Sequence, residues 1–160
     1  MSPVLRTVIF TVVLPGFWTV LVPYWVVGRR KPDLNGPGLV GCVLIFAGVA
    51  LYLICAFWGF ALRGKGTPSP TDPPKRLVVE GPYRIVRNPM YWGVASVMLG
   101  EALMFRSVAL AEIAAGFFAS TMLFVLLYEE PALGRAFGSE YEQYCRQVPR
   151  WIPALRGKLD

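Results

Sequence analysis

Two short segments concentrate the side chains of this chain that could do chemistry. The first, GPYRIVRNPMYWG from Gly81 to Gly93, sets Arg84 and Arg87 just ahead of Asn88 and Pro89. Asn is a favoured helix N-cap and Pro a favoured first helical residue, so a helix is expected to start at Pro89. The free N–H groups and positive dipole end of such a helix attract an anion such as a carboxylate, and the arginines add donors. The second segment, LLYEEP from Leu126 to Pro131, places Glu129 beside Glu130 where a charge-free run ends. Two acids at a helix C terminus oppose its dipole and need compensation from a cation, from ribose hydroxyls, or from Arg84 and Arg87. Taken separately, the segments need be no more than a capped helix start with arginines on lipid phosphate, and a solvated helix end. If they converge, they suit a ligand with a carboxylate, an ammonium and a cationic centre, for which Tyr83, Tyr91 and Trp92 offer aromatic faces. S-adenosylmethionine has those groups, and the chemistry alone leaves other ligands open.

The elements that must position these segments are apolar. Of 160 residues 55% are hydrophobic and only 16% charged, against roughly 25% charged in soluble domains. Mean hydropathy is +0.49. No charge falls between Thr7 and Gly28, nor from Leu34 to Leu62, and each run is long enough to cross a bilayer. The formal charge of +6 lies between apolar runs instead of on one solvated face, which suits anionic head groups and argues against nucleic acid. The three cysteines lack the paired spacing of a zinc site and there is no His, so no metal centre is expected.

The fold class is therefore all-α and integral to the membrane, in a single domain over 1–160. About four transmembrane helices are expected, near 4–27, 39–62, 89–105 and 108–128, with a polar loop over 63–88. Pro15 and Pro23 predict a kink in the first span. That span is read as retained, because no small-residue cleavage site follows it before Arg29. Gly41, Ala47, Gly48 and Ala56 give the second span a small face for another helix, in this chain or in a homodimer. Glu101 interrupts the third. After Pro131, Leu133, Phe137, Tyr141, Tyr144 and Val148 form one helical stripe, predicting an amphipathic helix over 131–148 lying in the membrane interface. Four spans put both termini on one side, with Arg6, the six basic residues of the loop and five of the tail. Arg29, Arg30, Lys31 and Arg106 lie opposite. The positive-inside rule makes the first side, with the termini and the candidate site, cytoplasmic.

The paired segments resemble the membrane-embedded methyltransferases that include isoprenylcysteine carboxyl methyltransferase and phosphatidylethanolamine N-methyltransferase. KRLVVEGPYRIVRNPMY is similar to that family's cofactor segment ending in R-H-P-x-Y, and EEPALGRAFGSEYEQYCRQVPRWIP is similar to its C-terminal signature. The resemblance covers about Gly48 to Pro153. It implies S-adenosylmethionine as cofactor, with Leu77, Val78, Tyr83, Asn88, Pro89, Met90, Tyr91, Glu129 and Glu130 lining its pocket and Gly48 joining from span two. Asn88 stands where the carboxyl methyltransferases usually have His. NPMYWG and LLYEEP look like the phospholipid enzymes, whereas FGSEYEQY and the VPR tail are closer to the carboxyl methyltransferases. A lipid or lipid-modified acceptor is implied, leaning to a phospholipid head-group amine, with Arg84, Arg87 and Trp92 as candidate substrate contacts. Glu129 or Glu130 would take the amine proton. The alternative acceptor is an isoprenylcysteine carboxylate. Membrane sterol reductases share a distantly similar C-terminal region, and NADPH reduction is a minor option. A reading of another class is a small proton-coupled exporter using Glu101 and Glu112, since intramembrane acids often mark ion pathways.

Overall fold

The computed structural model describes residues 2–64 and 75–153. Lys65 and Gly66 of the polar loop, and Arg156 and Lys158 of the tail, lie outside the described residues. The rest is helical, with no strand among the described residues: α1 Val4–Val27, α2 Pro37–Gly64, a 3-10 turn Gly81–Arg84, α3 Pro89–Met104, α4 Val108–Phe137 and α5 Ser139–Gln147. Helices α1, α2 and α4, of 24, 28 and 30 residues, are long and apolar enough to cross a membrane. With 16 residues, α3 is about 24 Å long at 1.5 Å per residue, short of the ~30 Å hydrocarbon core.

Pro23 in α1 and Pro131 in α4 are each admitted by a widened turn. In α1 the Val22 N–H reaches back five residues to the Phe17 carbonyl just before Pro23. In α4 the Glu130 N–H does the same to Val125 just before Pro131. A π-turn opens the ladder where the proline lacks its N–H and its ring would otherwise clash with the preceding turn. This corrects the expectation that span four ends ahead of the double glutamate and that one helix covers 131–148. Glu129 and Glu130 lie inside a continuous helix instead of at its C terminus. The break falls at Gly138, whose φ of +52° favours glycine. Tyr141, Tyr144 and Val148 form a buried cluster against Leu77, Leu133 and Phe137, so the stripe survives the break and packs on protein.

Helices α2 and α3 run antiparallel with backbones in near contact. A Cβ on Gly48 would lie 2.5 Å from the Gly93 carbonyl, and one on Gly100 would lie 2.6 Å from the Gly41 carbonyl. The small face of α2 is thus used within the chain. The Thr11 and Tyr52 hydroxyls, 2.8 Å apart, tie α1 to α2. At one end of the bundle the two short turns are joined: Arg106 pairs with Asp33 at 2.6 Å, and the Asp33 N–H donates to the Met104 carbonyl. The Asn35 N–H and the Arg106 guanidinium hold the Asp33 carboxyl below its ordinary pKa. The starts of α1 and α3 and the end of α4 meet at the opposite end.

Candidate functional site

At that end α3 begins at Pro89 with Asn88 in the N-cap position, as the sequence predicts. The Asn88 side chain makes no capping bond, however; its amide donates to the Arg150 carbonyl at 3.1 Å. One turn into α3, the Tyr91 hydroxyl donates to Glu129 Oε2 at 2.8 Å. Glu130 faces two guanidinium groups. Arg87 Nη1 donates to Oε1 at 2.8 Å, while Arg150 donates from Nε to Oε1 and from Nη2 to Oε2, both at 2.7 Å. The Arg87 and Glu130 side chains are only 13% and 15% exposed, so little solvent weakens the pair. These bonds hold the Arg150 guanidinium above its ordinary pKa. Arg87 Nη1 also contacts Cys145 Sγ at 2.8 Å. The Tyr144 hydroxyl donates to the Tyr83 carbonyl at 2.7 Å, fixing α5 against the 3-10 turn. Burial pushes the Tyr83 phenol well above its usual pKa, with Cys55 and Glu129 adding to the effect.

A cavity of about 1160 Å³ opens among these groups. Its polar part carries Arg6, Arg87, Asn88, Tyr91, Glu129 and Glu130, and Leu77, Val78, Tyr83 and Met90 line the adjoining wall. The remainder is apolar, with Phe10, Val13 and Trp18 from α1 and Phe117 and Phe124 from α4. Eight of the nine residues expected to hold a cofactor therefore share one cavity. Pro89 does not line it, being buried as the first residue of α3. Of the candidate substrate contacts, Arg87 is on the wall. Arg84 is exposed on the 3-10 turn. Trp92 packs on Phe118 with ring centroids 4.8 Å apart and donates its indole N–H to the Trp151 carbonyl. Gly48 lies in the α2–α3 contact. Glu101 is half-buried toward the far end of α3 and Glu112 is exposed, and neither lines the cavity. Among the described residues no group of three or more His, Cys, Asp or Glu side chains is placed to hold a metal ion.

The sequence argument missed Arg150 and the whole α1 wall. No periodicity marks either one. Arg150 stands out only as part of the VPR tail, and Phe10, Val13 and Trp18 look like any lipid-facing residues of an apolar run.

This architecture defines a helical protein with three helices able to cross a membrane and a large, mostly apolar cavity with one polar wall at one end of the bundle. Residues 40–140 match the model of the phospholipid methyltransferase family, and the chain belongs to that family. It is 34% identical over 82 residues to Protein-S-isoprenylcysteine O-methyltransferase B of Arabidopsis thaliana, covering 49% of this chain and 40% of that protein. To the cobalt-zinc-cadmium resistance protein CzcN of Cupriavidus metallidurans it is 29% identical over 144 residues, covering 88% and 63%. To Protein-S-isoprenylcysteine O-methyltransferase of Schizosaccharomyces pombe it is 35% identical over 89 residues, covering 49% and 34%. The chain thus spans less than two thirds of the length of these relatives. No solved structure matches it significantly.

Proposed function

We propose that this chain is a membrane methyltransferase that uses S-adenosylmethionine to methylate a lipid, with a phospholipid head-group amine as acceptor. One observation carries the reading: the Asn-Pro helix start and the double glutamate, nearly forty residues apart, meet across a 2.8 Å hydrogen bond on the wall of one cavity. Its volume of about 1160 Å³ exceeds the roughly 300–1,000 Å³ of ordinary small-molecule sites. Cofactor and lipid head group have room there together.

The residues fit the cofactor's chemistry. Glu129 offers a carboxylate for the ammonium group or the ribose hydroxyls, while Tyr83 and Tyr91 lend aromatic surface near the cationic centre. When bound, S-adenosylmethionine supplies a methyl group on a positively charged sulfur, open to in-line attack. The protein's part is to align the acceptor and exclude water. Phe10, Trp18, Phe117 and Phe124 bury the lipid's apolar part, and Arg87 sits where an anionic phosphate would approach. Glu129 is the side chain placed to take a proton, because it lines the cavity and accepts from the Tyr91 hydroxyl while Arg87 and Arg150 both engage Glu130.

A second reading, O-methylation of an isoprenylcysteine carboxylate, is favoured by the names of two relatives. The acceptors differ in proton demand. An amine with a pKa near 10 must lose a proton before it attacks, so its rate should climb from about pH 7 to 9, whereas a carboxylate acceptor gives a flat profile there. Purified protein incubated with methyl-labelled S-adenosylmethionine, a total lipid extract and a prenylated cysteine peptide should yield a labelled phospholipid. Label found only in a prenylated peptide would select the second reading, and failure to bind the cofactor would overturn both.

A further inference from the structure

Three consecutive carbonyls beyond α5 are taken up by one short segment at the start of α3. The Arg87 N–H donates to the Pro149 carbonyl at 2.9 Å, the Asn88 amide to that of Arg150 at 3.1 Å and the Trp92 indole to that of Trp151 at 3.0 Å. The strap 148–151 is thereby laced along the residues that carry the cavity's polar wall. The Trp151 ring lies 6.3 Å from that of Tyr91 and 5.2 Å from that of Phe118. Charge fastens the lacing: Arg150 grips both oxygens of Glu130 at 2.7 Å, and Arg87 holds one of them from the other segment at 2.8 Å. Such a two-pronged grip fixes orientation as well as distance, and a lysine could not reproduce it. Glu130 also follows directly on Glu129, so the clasp and the ligand-facing acid share one helical turn.

We infer that Glu130 and Arg150 are positioning residues, a clasp that presses the strap against the start of α3 and so sets Asn88 and Tyr91 on the cavity wall. The inference rests on reading the cavity as the S-adenosylmethionine site. Glu129 is the acid that meets the ligand, and Glu130 acts through the strap.

Cys145 gives a direct readout, because its sulfur contacts Arg87 at 2.8 Å. In the 160-residue chain carrying Cys42→Ala and Cys55→Ala it is the sole cysteine. Arg150→Glu should speed maleimide labelling of Cys145 about tenfold or more and weaken S-adenosylmethionine binding by a similar factor, since it sets a second carboxylate against the nearly buried Glu130. Arg150→Lys, a milder change that preserves the fold, should give intermediate values of both. In the cycle of Glu130→Gln, Arg150→Gln and the double variant, the effects on labelling should fall well short of adding, as coupled partners do. Unchanged labelling in both Arg150→Glu and Arg150→Lys would overturn the clasp. So would effects on labelling that add fully in that cycle, or a Glu130→Gln variant that weakens binding with labelling unchanged, because Glu130 would then touch the ligand itself. Should the parent bind no S-adenosylmethionine, the cofactor reading fails, and the labelling series still decides whether this ion pair holds the strap.

Discussion

Glu130 receives three charge-assisted hydrogen bonds from two arginines, whereas its neighbour Glu129 is held by a phenol. Removing one member of a buried ion pair strands the other charge, at a cost of about 3–5 kcal/mol when burial is complete. With Arg87 13% exposed and Arg150 reaching solvent, Glu130→Ala should cost somewhat less. It should still lower the thermal unfolding midpoint by clearly more than Glu129→Ala. The affinities should divide differently. Tyr91→Phe deletes one hydrogen bond to a carboxylate, about 1.5–3 kcal/mol, and Glu129→Ala deletes the acid itself. Both should weaken S-adenosylmethionine binding about tenfold or more, with a smaller loss of midpoint than Glu130→Ala. Calorimetric titration beside thermal unfolding separates the two effects, and wild-type affinity in both variants would refute the ligand role of Glu129.

Among elements, the helix start at Pro89 is legible because Asn-Pro is local grammar, whereas passage through Pro131 is not. A proline marks a break in sequence, and the π-turn over Val125–Glu129 that admits it has no residue signature of its own. The stripe from Leu133 to Val148 was legible as a face, and Gly138 hides the bend within it. Arg150 was illegible as a partner because only that bend returns it to Glu130. The glycines of α2 announce a close approach without naming the helix approached, and the structure names α3. Gly48→Ala or Gly93→Ala should therefore destabilise by about 1–3 kcal/mol, since the added methyl meets rigid backbone. Gly116→Ala in α4, with nothing within 4 Å of the added carbon, should be neutral or stabilising by up to ~1 kcal/mol. Thermal unfolding in one detergent compares them, and equal midpoints for all three would refute the close α2–α3 contact.

For the molecule as a whole, the joined turns around Asp33 and Arg106 lie at one end and the cavity with Arg87, Tyr91 and Glu129 at the other. Crossing the bilayer then sets the two ends on opposite faces. α3, too short for the full hydrocarbon thickness, can accompany its neighbours because much of it is buried against protein: Met90, Val94, Val97, Met98 and Ala102 are all inside. The cavity end carries Arg6, Arg63, Lys75, Arg76, Arg84, Arg87, Arg135, Arg146 and Arg150, and the other Arg29, Arg30, Lys31 and Arg106. This imbalance predicts a cytoplasmic cavity, where the proposed soluble cofactor would be at hand and the proposed lipid acceptor would arrive from the leaflet. In a background lacking the native cysteines, Asn35→Cys should react with an impermeant maleimide in intact cells. Ser139→Cys, at the start of α5, should react only after permeabilisation. The reverse pattern would put the site on the outer face and remove its access to cytosolic S-adenosylmethionine. Labelling of both in intact cells would mean that the two ends do not lie on opposite sides of the membrane, and the four-helix crossing would have to be abandoned.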